Sequence, residues 1–451
     1  MPKKPTNERL LALDRRDFLR LSGTGAAVVA AGTAGAMVAS APALAGPASQ
    51  AASLPKASGP RCVVVGGGWS GLTMAKYLKK ENPKFDVVLV EPNSMFMSCP
   101  LSNLWLGGVL NMETLLHSYV DAAKNNHYVY LQATLVDLDR SKKRAVTNRG
   151  YIDYSHIVLA PGIDYNYTSI GVTDPADIAT LSQNYPAAFK PGSETLSLKK
   201  KIDNFEGGTF LLTVPSGNYR CLPGPYERAC MIAAVFKKNK VKGKVILIDP
   251  SDKPGVKDEG FLAAFKDLYR DHLEYRTSTK VEGVDVGKKV VKTDFGDIKF
   301  DDASIYPSVR GATILEELGL SVKDGQMEGN IDPLTYNLKG DNNCYITGDA
   351  RSLPFSKSGN TANSEAHYVA KLIAARTAGK KIEWTSPHTI CYSMVNANPQ
   401  ESIMIDASYK HDGKGAGWEF TDVKVDNKRS AANGAANLVW GEGLYNDMFE
   451  A

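Results

Sequence analysis

Cysteine is scarce in this chain, with six residues in 451. So few thiols over such a length build no disulfide scaffold, and without a C-x-x-C-H any c-type haem must sit in a partner. Charge of one sign is lacking too. The whole chain sets 53 Lys and Arg against 49 Asp and Glu. Its first 45 residues hold six of the basic and three of the acidic ones, leaving 47 against 46 in the remainder. A surface so balanced gives nucleic-acid binding no electrostatic support. Beyond residue 45 no apolar run reaches the length of a membrane span, so stable membrane insertion is not expected. There is no internal repeat. The length calls for two or three domains with sizeable cores.

What the amino terminus has is an export pattern. Arg15-Arg16-Asp17-Phe18-Leu19-Arg20 precedes a weakly apolar run, Leu21 to Ala39, which leads to the small-residue site Ala43-Leu44-Ala45. Gly and Ala make that run a poor anchor, so residues 1–45 read as a twin-arginine signal that sends a folded protein to the periplasm. Residues 46–60, rich in Ala, Ser and Pro, read as a linker.

The next segment is a βαβ unit: the strand Arg61-Cys62-Val63-Val64-Val65, a glycine turn, a helix over 72–80, and a strand over 85–90. Gly66-Gly67-Gly68-Trp69-Ser70-Gly71 fits G-x-G-x-x-G. Gly66 allows the tight turn, Gly68 the approach of a pyrophosphate, and Gly71 close packing of helix on strand. Glu91 closes the second strand, where a carboxylate can hold an adenosine ribose. Charged alternation over 128–154 suggests a hairpin or meander, and 361–376 reads as a helix capped by Asn360 or Thr361. Ala160-Pro161-Gly162 and Thr347-Gly348-Asp349, each after a strand, resemble motifs of two-domain flavoprotein reductases. They favour FAD, with Gly162 and Asp349 near it. The fold expected is α/β, with two Rossmann-like dinucleotide-binding domains and a C-terminal α+β interface region. Its boundaries are 61–170 and 301–380 for the FAD-binding domain, 171–300 for the second, and 381–451 for the C-terminal domain.

In the second unit a strand over 209–214 and a helix over 226–238 flank a loop that lacks G-x-G-x-x-G. It reads Val214-Pro215-Ser216-Gly217-Asn218-Tyr219-Arg220-Cys221-Leu222-Pro223-Gly224-Pro225. Prolines remove backbone donors that a nucleotide phosphate needs, and a thiol stands there instead. The electrons are therefore expected from a small sulfur compound rather than from NAD(P)H.

At these residues the chain resembles the flavoprotein subunit of flavocytochrome c sulfide dehydrogenase. The segments that carry the resemblance are Val63 to Gly71, Ser98-Cys99-Pro100-Leu101-Ser102-Asn103, Arg220 to Arg228, Gly348-Asp349-Ala350 and Lys357-Ser358-Gly359. The resemblance implies periplasmic oxidation of sulfide, or of a small thiol or persulfide, by FAD, with electrons passing to a c-type cytochrome partner. It makes Cys99 the candidate for a thioether to FAD, Cys221 the redox thiol, and Glu227 the acid beside it. Lys357 and Gly359 are placed at the cofactor, and Trp440 near the flavin through similarity of the C-terminal segment. It also implies a second cysteine just after the Gly-Asp-Ala turn, where this chain has Arg351, an arginine that reads either as binding an anionic substrate near the flavin or, the favoured reading, as pairing with a surface carboxylate. Cys221 would then act alone or with Cys230; Cys62 and Cys391 read as core residues, and Cys344 as a poor stand-in. A sulfide:quinone reductase and a non-catalytic flavoprotein accessory of a sulfur-oxidation complex are the competing readings.

Overall fold

The computed structural model describes residues 49–412 and 417–451, so residues 1–45, expected to be an export signal, and the start of the expected linker lie outside the described residues. Short β-branched runs, buried on both faces, make the strands of the first unit. Arg61–Val65 pairs in parallel with Asp86–Val90 on one side and His156–Leu159 on the other, and Val129–Leu131 and Cys344–Ile346 complete a five-stranded parallel sheet. Such a sheet needs both faces covered. The Trp69–Glu81 helix lies against the Gly359–Thr377 helix, where the Asn363 amide donates to Thr73 Oγ1 at 2.9 Å. Ser358, rather than Asn360 or Thr361, caps the second of these helices: its hydroxyl accepts the Thr361 N–H at 3.3 Å. Leu135–Asp139, Arg144–Thr147 and Gly150–Asp153 form the antiparallel meander that the charge alternation suggests.

The second unit is a four-stranded parallel sheet in the order Leu273–Arg276, Lys242–Ile248, Gly207–Thr213, Asp302–Ser304. Its last strand lies beyond residue 300, where the sequence reading ends the unit. The chain then returns to the first sheet through Cys344–Ile346. The fold is thus α/β with two Rossmann-like units, as the sequence indicates.

From residue 388 the chain builds an antiparallel sheet, His388–Ala397, Gln400–His411 and Trp418–Ser430, followed by the Ala431–Phe449 helix. Gly434 lets that helix sit on the sheet, since a Cβ there would lie 2.2 Å from the Gln400 carbonyl oxygen. At its far end Asp447 accepts hydrogen bonds from Tyr77 Oη at 2.6 Å and Asn363 Nδ2 at 2.8 Å. The C-terminal region is therefore anchored to the first unit. No helix among the described residues is long and apolar enough to cross a membrane.

Candidate functional site

The three motif glycines differ in what surrounds them. A Cβ on Gly66, at φ +99°, would meet the Ala160 carbonyl oxygen at 2.4 Å, and one on Gly71 would lie 1.7 Å from the Gly66 oxygen. A Cβ on Gly68 would meet nothing within 4 Å. The outer two close the turn against its sheet. The middle one leaves an open floor before the first N–H groups of the Trp69–Glu81 helix, where a diphosphate is favoured. Beside it Glu91 accepts the Gly67 N–H at 2.7 Å and the Asn93 N–H at 2.9 Å. An open backbone floor and a buried carboxylate are the donor and acceptor set that an adenine dinucleotide such as FAD needs. Gly71→Ala should therefore abolish soluble folded protein, whereas Gly68→Ala should fold with an unchanged melting curve and bind FAD more weakly, read by flavin content and thermal melting.

This cradle opens into a cavity of about 350 Å³ whose walls also include Cys99, Gly162, Asp349, Gly359 and Trp440. Gly359 is needed for closeness, because a Cβ there would lie 2.8 Å from both the Pro100 ring and the Trp69 indole. Asp349 accepts from Arg220 Nε at 2.6 Å. Burial pushes the Cys99 thiol up, and Arg220 and Arg228 pull it back. Trp440 contributes an indole Nε1 with no protein partner. Lys357 is a correction: it is absent from the cavity wall, and its ammonium is buried in an ion pair with Glu328. Its carbonyl instead receives the Cys221 N–H at 2.8 Å.

Cys221 lines the same cavity in a left-handed backbone conformation, φ +62°. A non-glycine residue there carries strain of about 1–3 kcal/mol. Two backbone bonds hold it: the one to Lys357, and the Gly224 N–H donating to the Cys221 carbonyl at 2.7 Å. Glu227, in the first turn of the Gly224–Asn239 helix, accepts from Asn103 Nδ2 at 2.8 Å and from the Met394 N–H at 2.7 Å. Burial pushes its carboxyl up, against those two donors and the more distant cations Lys257 and Arg228. The carboxyl is thus a structural tie on the cavity wall, joining the thiol loop's helix to the C-terminal sheet.

In the second unit the acid at the ribose-binding position is already engaged by side chains. Asp249, after the second strand of the second sheet, is where a ribose-binding acid stands in a Rossmann unit. Here it is fully buried, and Tyr226 and Tyr275 each donate a hydroxyl to its Oδ2 at 2.6 Å.

The second thiol lining the cavity with Cys221 and Cys99 is one that reads as a core residue in the sequence. Cys391, on the first strand of the C-terminal sheet, lines the same cavity half-buried. Burial pushes the Cys221 thiol far up, and Cys391 adds more to that shift than any other charged group. Cys230 and Cys344 are fully buried and absent from the wall, and burial pushes Cys344 and the core residue Cys62 up to about 12. Arg351 is no surface residue. It is fully buried, ion-paired with Glu365, and donates to the Gly348 carbonyl at 3.2 Å and the Ser356 carbonyl at 3.1 Å. A short strand of Thr, Ile, Tyr and Met around Cys391 reads as packing, and only the folded chain brings it across 167 positions, through the Met394–Glu227 bond, to the thiol loop.

Comparison with known proteins agrees with this geometry. Residues 195–307 match the family model for the central part of the sulfide dehydrogenase [flavocytochrome c] flavoprotein chain. Residues 60–185 match that of pyridine nucleotide-disulphide oxidoreductases. A type II NADH:quinone oxidoreductase of Staphylococcus haemolyticus is 21% identical over 410 residues, spanning 85% of this chain and 98% of that protein. Among solved structures, the sulfide:quinone oxidoreductase of Aquifex aeolicus superposes with a TM-score of 0.71 at 15% identity, covering 86% of this chain and 91% of that one. A NAD-dependent persulfide reductase from A. fulgidus gives 0.57 at 15% identity, over 86% and 77%. With its dinucleotide cradle opening onto a thiol-lined cavity, the chain is an oxidoreductase of the flavoprotein class.

Proposed function

We propose that the protein is a periplasmic FAD-dependent dehydrogenase that oxidises sulfide, or a small thiol or persulfide, and passes the electrons to a c-type cytochrome. The observation that carries this reading is that Cys221, Cys391 and Glu227 line one cavity together with the dinucleotide cradle. The segment holding Cys221 and Glu227 is the one that matches the sulfide dehydrogenase model. FAD, held over the Gly68 floor with Glu91 at its ribose, would supply a two-electron acceptor that can release electrons singly. The working state is a Cys221–Cys391 disulfide. Hydrosulfide attacks one sulfur, the S–S bond breaks, and its electron pair leaves on the other cysteine as a thiolate. Glu227 takes the proton that the new persulfide loses. Cys99 is proposed as the covalent tether, so acid-denatured protein keeps its yellow colour and Cys99→Ser releases it.

The deciding experiment is an anaerobic sulfide titration of the flavin spectrum followed by ferricytochrome c. Bleaching by sulfide and stoichiometric cytochrome reduction are expected. An unbleached flavin would overturn the reading, and bleaching without turnover would leave an accessory flavoprotein. Fold likeness to the Aquifex enzyme favours a second reading in which a quinone is the acceptor, which a soluble quinone analogue in the same assay separates. NADH is not expected to bleach the flavin, because tyrosines occupy the Asp249 carboxylate.

A further inference from the structure

Lys257 is a lysine in an unfavourable place. It stands at the N-cap of the Asp258–Leu268 helix in a left-handed conformation, φ +57°, and is 2% exposed. A cation at a helix N-terminus opposes the dipole, a non-glycine left-handed residue is strained, and a buried ammonium loses its hydration. Three local costs at one residue call for a compensating contact. Its Nζ donates to Ser393 Oγ at 2.7 Å and the Cys391 carbonyl at 3.0 Å, and lies 3.8 Å from Cys391 Sγ. The Phe261 ring is 5.9 Å away. No carboxylate lies within ion-pair distance of it among the described residues. The acid that acts on it, Glu227, has both oxygens held by Asn103 and Met394.

The two thiols of the cavity are therefore unequal. Apart from Cys99, the proposed flavin tether, the groups that act on Cys221 are Cys391 and Glu227, both anionic when ionised, and Lys257 contributes least. Around Cys391 the strongest charge is the Lys257 ammonium, and Glu227 opposes it. In thiol–disulfide exchange the sulfur that better carries negative charge leaves faster.

We propose that Lys257 makes Cys391 the leaving thiolate when the Cys221–Cys391 bond opens, so that the sulfur taken from hydrosulfide ends on Cys221. Hydrosulfide bonds to Cys221 Sγ, the S–S bond breaks, and the electron pair of that bond goes to Cys391 Sγ beside the ammonium. No further oxidant enters this step; the oxidising equivalent is the disulfide itself. The proposal rests on the pair being the redox centre, and its test separates the two ideas.

The test uses flavin-loaded protein in a Cys221→Ser background, without sulfide, so that Cys391 is read alone. The rate at which iodoacetamide alkylates Cys391 is followed against pH by peptide mass spectrometry. Lys257→Gln, which keeps hydrogen-bond donors and removes the charge, should slow alkylation at neutral pH roughly tenfold or more, whereas Lys257→Arg should stay near the unsubstituted rate. Equal rates for Gln and Lys would overturn the proposal, even if sulfide proves to be the substrate. Should Lys257→Gln not fold, Lys257→Met takes its place, and flavin content and melting temperature report on both. With Lys257 and both thiols intact, one sulfide equivalent added to the oxidised protein and trapped by alkylation should leave the extra sulfur atom on the Cys221 peptide. Finding it on Cys391 would overturn the assignment.

Discussion

Cys221→Ser should slow the reduction of the flavin by sulfide by roughly 10³-fold or more while leaving flavin content unchanged. A serine hydroxyl fits the loop, because the Lys357 and Gly224 backbone bonds that fix residue 221 do not involve its side chain. It cannot form or accept a sulfur–sulfur bond. Cys391→Ser should cost about as much, and the double variant little more, because the two sulfurs act as one unit. Stopped-flow reduction of each variant by sulfide measures this, and non-reducing peptide mapping of the oxidised protein should return a Cys221–Cys391 crosslink. Cys230→Ser, on the same helix as Glu227 but fully buried off the cavity wall, should leave the rate alone. If Cys391→Ser reduces at the unsubstituted rate, Cys221 works without it and the pair is not the redox centre.

A large expected loss of stability also lies at Arg351. Its guanidinium and the Glu365 carboxylate are both removed from water, and Tyr336 Oη donates to the same Glu365 oxygen at 3.1 Å. Burial pushes Glu365 up to about 7 even though Arg351 and Tyr336 pull it down. Arg351→Met strips the counter-charge from a buried carboxyl and frees the Gly348 and Ser356 carbonyls, at a cost of about 3–5 kcal/mol. Chemical denaturation at pH 7 measures it, and adding Glu365→Gln should restore much of the loss. The pH dependence has a definite sign. Glu365 binds its proton more tightly folded than unfolded, so its contribution to stability is full at acid pH and falls as pH rises towards about 7. In Arg351→Met the carboxyl keeps its proton to higher pH, and that fall moves upward with it.

Much of the architecture is legible locally. The strand from Arg61, the glycine turn and Glu91 lie within one stretch of chain, and each is set by sterics that the residue type alone reveals: no Cβ fits at Gly66 or Gly71. The meander and the second parallel unit follow from alternation and β-branched runs in the same way. What was illegible depends on long-range packing. Cys391 and Lys257 lie on different elements and meet only when the C-terminal sheet lies on the Gly224–Asn239 helix. Arg351 reads as a surface residue because arginine is usually exposed, and the Glu365 that justifies its burial stands on the next helix. Lys357 reads as a cofactor residue, whereas its ammonium is buried against Glu328 and only its carbonyl reaches the site, by accepting the Cys221 N–H.

The Met394–Glu227 bond has a further consequence for when the protein becomes competent. Cys221 is made early on the growing chain, and Cys391 arrives only after both Rossmann-like units are complete. Until the last strands dock, Cys221 has no partner across the cavity, and the flavin cradle can be assembled and filled with its dithiol still open. In the proposed redox pair, oxidation would then record that the whole chain, down to its C-terminal helix, has reached its place. For the periplasmic export proposed above, such a crosslink would serve as a covalent stamp of completed maturation.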